Sequence, residues 1–164
     1  MKFSSQEEYG LRCLLQLARI GQSNSMTITE ISRAEGLTTT HIAKLLMILR
    51  KEGFVTSIRG QTGGYSIARS PSDMSLRLIL EALGGKLFDQ EFCTKHAGNS
   101  NICAHDMECT VRSLWQNLQT KIDSVLDQMT LADLVQPSSL DLKLSTKRKS
   151  LSQLPMTSRV LIHD

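Results

Sequence analysis

Three cysteines, Cys93, Cys103 and Cys109, lie close together in the second half of the chain with the spacing C-x9-C-x5-C. Thiolates are soft ligands, so zinc, copper(I) and iron-sulfur clusters all suit this set. The spacing matches neither the C-x2-C pair of a zinc knuckle nor the cysteine run of a ferredoxin. The residue types therefore predict a metal site without choosing the metal.

The donor that would complete a four-coordinate site is left open by the residues alone. Within the cysteine segment the other donors are His96, His105, Asp106 and Glu108. The two carboxylates are hard oxygen donors and suit a soft site less well. Glu8, near the amino terminus, is a further candidate ligand, although Ser5, three residues before it, also predicts a capping box at a helix start.

The composition predicts one small, mainly helical domain with an appended element. The chain has 164 residues, 40% hydrophobic and 4% aromatic, so aliphatic side chains must fill the interior. No apolar run is long enough for a secretion signal or a membrane span, which predicts a cytoplasmic protein without a membrane partner. Cytoplasmic thiols stay reduced, which favours a metal site over disulfides, whereas Cys13 is expected in the core.

Apolar periodicity predicts the elements that position this site. The first helix ends near residue 20, the second spans roughly 27–35 and ends at Gly36, and the third follows three threonines and ends at Gly53. Two strand-like segments then flank the glycine-rich residues 59–65. This order describes a winged helix-turn-helix, whose third helix would enter the DNA major groove.

A long apolar stripe begins after Cys109. Its members recur at steps of three and four residues: Val111, Leu114, Trp115, Leu118, Ile122, Val125, Leu126 and Met129. Such a stripe, on a helix appended to a complete small domain, favours burial against a second copy, with packing against its own domain as the alternative. We therefore expect a homodimer suited to a pseudo-palindromic operator.

The predicted fold class is mostly α with a small β wing, a winged helix-turn-helix domain followed by a long dimerisation helix. Residues 1–85 are predicted to form the DNA-binding domain and residues 86–110 a cysteine-bearing loop that holds the metal site. Residues 111–136 form the dimerisation helix and a final helical turn. The serine-rich, basic residues 137–164 are expected to be disordered.

Positive charge is concentrated on the predicted DNA-reading segment. The net charge is only +3, but residues 33–69 hold six Lys or Arg residues against two Glu residues. Such a local excess attracts DNA phosphates. The expected partner is therefore double-stranded DNA, contacted by Thr38, Thr39, Thr40, His41, Lys44 and Arg50 around the third helix and by Arg59 at the wing.

With those residues in view, residues 1 to about 136 resemble the iron-sulfur regulators related to IscR, NsrR, RirA and RsrR. The matching features are the opening Met1–Ser4, Tyr9, the turn at residues 31–36, residues 49–53, residues 59–65, the three cysteines, Leu114-Trp115 and residues 130–135. The resemblance implies a dimer in which a [2Fe-2S] or [4Fe-4S] cluster tunes operator binding. Relatives without a cluster also lack these three cysteines.

Two departures from IscR bear on the fourth ligand and on the operator. Where IscR has a histidine three residues after its last cysteine, this chain has Arg112. NsrR and RsrR instead use an acidic residue of the first helix, supplied by the partner subunit, and Glu8 occupies the matching place. Ala43 stands where IscR carries an acidic residue, so the resemblance does not transfer the operator sequence.

The main hypothesis is a transcription regulator whose operator binding is controlled by an iron-sulfur cluster that senses iron, redox state or nitric oxide. A different class stays open: a zinc-bearing structural or protein-interaction module built on a helix-turn-helix scaffold. An enzyme is not expected, because no nucleophile-base-acid set or phosphate loop occurs, and Gly60 to Gly64 opens no helix. Nor is a small-molecule substrate expected.

Overall fold

The predicted helices and wing form in the computed structural model, which describes residues 4–60, 63–86, 88, 91–97 and 109–136. The first half contains α1 (Ser5–Ile20), α2 (Ile28–Glu35), α3 (Thr39–Lys51), β1 (Val55–Ile58) and β2 (Gly64–Ile67). A 3-10 turn (Pro71–Asp73), α4 (Leu76–Gly84), α5 (Glu91–Lys95), α6 (Thr110–Leu126) and α7 (Leu131–Val135) follow. This order confirms a mostly helical fold with a small β wing.

Helix starts follow from side-chain capping. The hydroxyl of Ser4 accepts the backbone N–H of Glu7 at 3.2 Å, and the Glu7 carboxylate accepts the backbone N–H of Ser4 at 2.7 Å. The sequence allowed a second, overlapping box between Ser5 and Glu8, but α1 begins one residue earlier. The Glu8 side chain is therefore exposed and takes no part in the cap.

Gly36 makes the turn between the two helices of the helix-turn-helix. It adopts left-handed backbone angles, φ 67° and ψ 28°, and the N–H of Leu37 donates to the carbonyl of Ser32 at 3.1 Å. A side chain at this backbone conformation costs energy because Cβ crowds the carbonyl oxygen. The turn sets the angle at which α3 leaves α2, and so the orientation of the helix predicted to read DNA.

A Gly36→Ala variant is expected to lose about 1 kcal/mol of unfolding free energy, the cost of placing Cβ in the left-handed region. Urea unfolding followed by circular dichroism measures this loss. A Gly36→Asn variant should lose less, because asparagine tolerates the left-handed conformation. Equal stability of the alanine variant and the parent would contradict this explanation.

The wing is an antiparallel hairpin extended by a third segment. Strands β1 and β2 pair from Val55 with Ile67 to Ile58 with Gly64. Met26 also pairs with Tyr65 through two backbone hydrogen bonds of 2.8 and 2.9 Å, which local sequence patterns did not predict. A Cβ at Gly64 would lie 2.5 Å from the Met26 carbonyl oxygen, so this approach requires glycine.

The end of the described chain returns to the core of the amino-terminal elements. Leu131 of α7 is fully buried, and its N–H donates to the carbonyl of Met74 at 2.9 Å. Ser75 and Thr130 form an isolated β-bridge beside it. The helix-turn-helix core is therefore completed by residues from beyond the long helix.

An ion pair fixes α1 against the end of α2. Arg12 Nε lies 2.6 Å from a carboxylate oxygen of Glu35, whose side chain is only 5% exposed. The amide of Gln16 donates to the other carboxylate oxygen at 2.6 Å. Because a buried carboxylate needs such donors, this contact holds the helix-turn-helix against α1.

Helix α6 has no buried residue along its 17 residues. Its exposed apolar side chains are Val111, Leu114, Trp115, Leu118 and Val125, which we call the α6 apolar face. The helix ends at Leu126, so Met129, expected on the same stripe, lies after the helix end and packs against the core. No helix in the described ranges has the length and apolar character required to cross a membrane.

Candidate DNA-reading face and cysteine site

The start of α3 separates the predicted DNA-contacting residues into two groups. Thr39, Thr40 and Lys44 are exposed on the helix. Thr38 is the cap residue, and its hydroxyl accepts the N–H of His41 at 3.3 Å. The first group has side chains available to a DNA partner, whereas the Thr38 hydroxyl already stabilises the helix start.

His41 connects α3, the predicted DNA-reading helix, to α1. Its ring is half-buried and meets the ring of Tyr9 edge-on, with centroids 5.5 Å apart and planes at 78°. The guanidinium of Arg12 lies 5.5 Å from the centroid of the same Tyr9 ring. A displacement of α1 would therefore change this contact with the first turn of α3.

The basic residues of this segment are not equivalent. Arg50, Lys51 and Arg59 are exposed at the end of α3 and after β1. Arg69, in contrast, lies 5.4 Å from the centroid of the Phe54 ring and donates to the carbonyl of Gly53 at 3.4 Å. Arg69 is also exposed, but its guanidinium is engaged by residues just before β1, whereas Arg50, Lys51 and Arg59 are the residues left for phosphate contacts.

The DNA-contacting residues predicted from the sequence did not include Met47. This side chain is 59% exposed on α3, beside the predicted contacts. Helical spacing predicts that Met47 is exposed, because position 47 lies opposite the row of buried residues Ile42, Leu45, Leu46 and Leu49.

Cys93 lies on a short helix where the sequence predicted a loop without regular structure. The ring of Phe92 in α5 stacks on His96 at 4.1 Å and meets Phe88 at 5.4 Å. The N–H of Phe88 donates to the side-chain oxygen of Gln119 at 3.0 Å. These contacts connect the segment that carries Cys93 to the middle of α6.

Cys109 is the cap residue of α6. Its sulfur accepts the backbone N–H of Arg112 at 3.3 Å, and its carbonyl accepts the N–H of Ser113 at 3.1 Å. The Cys109 sulfur therefore lies beside the backbone N–H groups at the start of α6. Cys93 and Cys109 are both half-buried, and their thiolate chemistry fits an iron-sulfur cluster or zinc.

The remaining predicted ligands are placed unevenly. Cys103, His105, Asp106 and Glu108 lie outside the described residues. His96 has its Nδ1 2.8 Å from the carbonyl of Phe92. Among the described residues no three His, Cys, Asp or Glu side chains converge into a metal site, so Glu8, Cys93 and Cys109 of one chain are not gathered together.

Cys13 differs from the other cysteines. It lies on the buried side of α1 and is part of the core. This burial, with a smaller contribution from the charge of Glu35, raises the pKa of its thiol to about 12. The thiol therefore stays protonated at neutral pH and is a poor metal ligand.

The fold and the basic, exposed face of α3 define a winged-helix DNA-binding regulator. Residues 3–137 match the model of the Rrf2 family, described as an iron-dependent transcriptional regulator. The chain belongs to the Rrf2 family. This membership confirms the resemblance to IscR-related regulators and agrees with the expectation that the protein is not an enzyme.

Three relatives illustrate the similarity. Protein rrf2 of Nitratidesulfovibrio vulgaris is 30% identical over 141 residues, covering 85% of this chain and 91% of the relative. The structure of T. potens IscR has a TM-score of 0.63 at 27% identity and covers 95% of this chain and 93% of that one. CymR, the global cysteine regulator of B. subtilis, has a TM-score of 0.66 at 28% identity, covering 82% and 96% respectively.

Proposed function

We propose that this Rrf2 regulator is a homodimer whose operator binding is controlled by an iron-sulfur cluster held by Cys93, Cys103 and Cys109. The observation that carries the proposal is the place of Cys109. It caps α6, the helix whose apolar face is exposed in the single chain. A change at this cysteine would act on the end of the helix that joins the two subunits.

The α6 apolar face supports the homodimer. Leu114 is 53% exposed and Val111 56% exposed, and both lie on the same side of the helix as Leu118. Apolar side chains in such a row are stabilised by removal from water. The α6 of a second subunit, related by a two-fold axis, presents the same row of side chains. Packing the two helices together would remove both apolar faces from water.

The donor set supports the cluster. Cys93 and Cys109 would supply thiolates from α5 and from the start of α6, with Cys103 between them in sequence. Glu8 would come from the partner subunit, since its carboxylate is exposed and the cap of α1 is filled by Glu7. When bound, the cluster would supply a centre responsive to redox change, iron loss or nitric oxide.

Contacts on both sides of the site support communication with DNA. The Phe88 to Gln119 hydrogen bond joins the Cys93 segment to α6. Tyr9, next to Glu8, packs on His41 at the start of α3. A ligand set that spans two subunits would therefore tie α1 and α6 together and fix the spacing of the two DNA-reading helices, which is coupling between two sites.

The DNA contacts would come from the exposed parts of this face. Thr39, Thr40 and Lys44 would reach bases or phosphates in the major groove, and Arg59 would reach the minor groove beside the wing. Arg50 would contact phosphate at the end of α3. Thr38 and His41 would act mainly through the helix start and the contact with Tyr9.

Anaerobic purification followed by an absorption spectrum and iron, sulfide and zinc analysis tests this proposal. Visible sulfur-to-iron absorption with comparable iron and acid-labile sulfide is expected. A colourless protein that holds only zinc would contradict the cluster and favour a structural zinc site.

A Glu8→Ala variant is expected to bind less cluster and to show shifted visible absorption, because one ligand is replaced by a methyl group. The matched control is Glu52→Ala, which removes an exposed glutamate at the far end of α3. Spectra and iron content identical to the parent in the Glu8 variant would remove Glu8 from the ligand set and leave the cysteines untouched.

A further inference from the structure

The outward face of α3 carries one large apolar side chain, Met47, which is 59% exposed. With 3.6 residues per turn, position 47 lies on the side of the helix opposite its core row. That row consists of Ile42, Leu45, Leu46 and Leu49. Met47 is therefore exposed by its position on the helix, with the core already complete beneath it.

The neighbours of Met47 on this face are polar or positively charged. Thr40 lies seven residues before Met47, Lys44 three residues before it and Lys51 four residues after it. At this spacing the four side chains form one stripe along the helix, here called the α3 stripe. All four are exposed. One lysine lies on each side of Met47 along the stripe. Their positive charges attract a nucleic acid and oppose burial against an apolar protein surface.

The space around Met47 also suits a base edge. Ala43, one turn earlier, carries only a methyl group and is half-buried, so the Met47 side chain can bend over it. Methionine is long, unbranched and adaptable, which allows it to follow an uneven apolar surface. In the major groove the apolar group on a base edge is the C5-methyl of thymine.

We infer that Met47 is a specificity-determining residue that contacts the C5-methyl group of one thymine in each operator half-site. The inference rests on the proposed DNA-binding function and adds to it a base preference. Lys44, one turn before Met47, and Lys51, one turn after it, would hold phosphates, and Met47 would distinguish thymine from cytosine.

The test uses an operator selected in vitro from random duplexes by the full-length protein, purified anaerobically. Each recurrent thymine is then replaced in both half-sites by 2′-deoxyuridine, which lacks only the methyl group. Affinities are measured by fluorescence anisotropy at one fixed salt concentration, since salt alone changes binding. The parent, Met47→Ala and Leu78→Ala are compared, because Leu78 is 46% exposed on α4, outside the α3 stripe.

At one thymine in each half-site, loss of the methyl group is expected to lower the affinity of the parent about fourfold per half-site. This is the size of effect expected from burying one such group. Leu78→Ala should show the same loss. In Met47→Ala the deoxyuridine duplex should bind as well as the thymine duplex, because the contacting side chain is gone.

The inference is overturned if no deoxyuridine substitution weakens the parent, or if the substitution weakens the parent and Met47→Ala equally. In either case a selected operator would still support the proposed function, and Met47 would become a candidate contact for a protein partner. Failure to enrich any sequence would instead overturn the proposed function together with the role of Met47.

Discussion

A Leu118→Glu variant should be a monomer that binds the selected operator about 100-fold more weakly than the parent, the scale lost when two linked contacts become independent. Leu118 is 42% exposed in the middle of the α6 apolar face. In a two-fold dimer each new carboxylate would be removed from water without a partner, which is costly. Light scattering after size exclusion gives the mass, and anisotropy gives the affinity.

The matched control for this variant is Gln116→Glu. Gln116 is exposed on the same helix but lies on the side away from the α6 apolar face, so the same charge is added outside the proposed interface. This control should remain dimeric and bind like the parent. A dimeric Leu118 variant with unchanged affinity would mean that α6 does not join the subunits.

Single alanine substitutions at Cys93 and Cys109 are each expected to reduce cluster-bound iron and sulfide to a small fraction of the parent value. Removal of one thiolate leaves an open position that solvent can enter, and clusters depend on their cysteine ligands. Anaerobic purification with iron and sulfide analysis measures the loss. The control is Cys13→Ala, which changes a buried thiol and should keep the cluster.

A Cys109→Ser variant separates ligation from capping. Serine is a favourable cap residue and retains an acceptor for the Arg112 N–H, but its hydroxyl replaces the soft thiolate. The variant should keep the stability of α6 and still lose the cluster. Full cluster content in the Cys93 or Cys109 variants would show that these cysteines are not ligands.

Local patterns predicted most of the fold, because the first three helices each have a nearby start or end signal. Gly21 and Gly36 end the first two helices, and Thr38 caps the third. The contacts that were missed are long-range. Pairing of Met26 with Tyr65 and burial of Leu131 against Met74 depend on how separate segments meet, which periodicity does not encode.

The candidate site was less predictable, because some of its residues fit more than one local structure and others are positioned by contacts between separate helices. Both Ser4 with Glu7 and Ser5 with Glu8 fit a capping box, yet two overlapping boxes cannot form at one helix start. The packing of His41 on Tyr9 depends on the crossing of α1 and α3. The short helix α5 is held by ring contacts and Gln119, and five residues are too few to show periodicity.

The most direct test of cluster-controlled DNA binding is the affinity of one anaerobic preparation for the selected operator before and after removal of its cluster. The variant in which Cys93, Cys103 and Cys109 are all alanine receives the same treatment. We expect roughly a tenfold change in the parent, a typical size for coupling between two sites, and no change in the variant. Equal affinity of the parent in both states would contradict the proposed control.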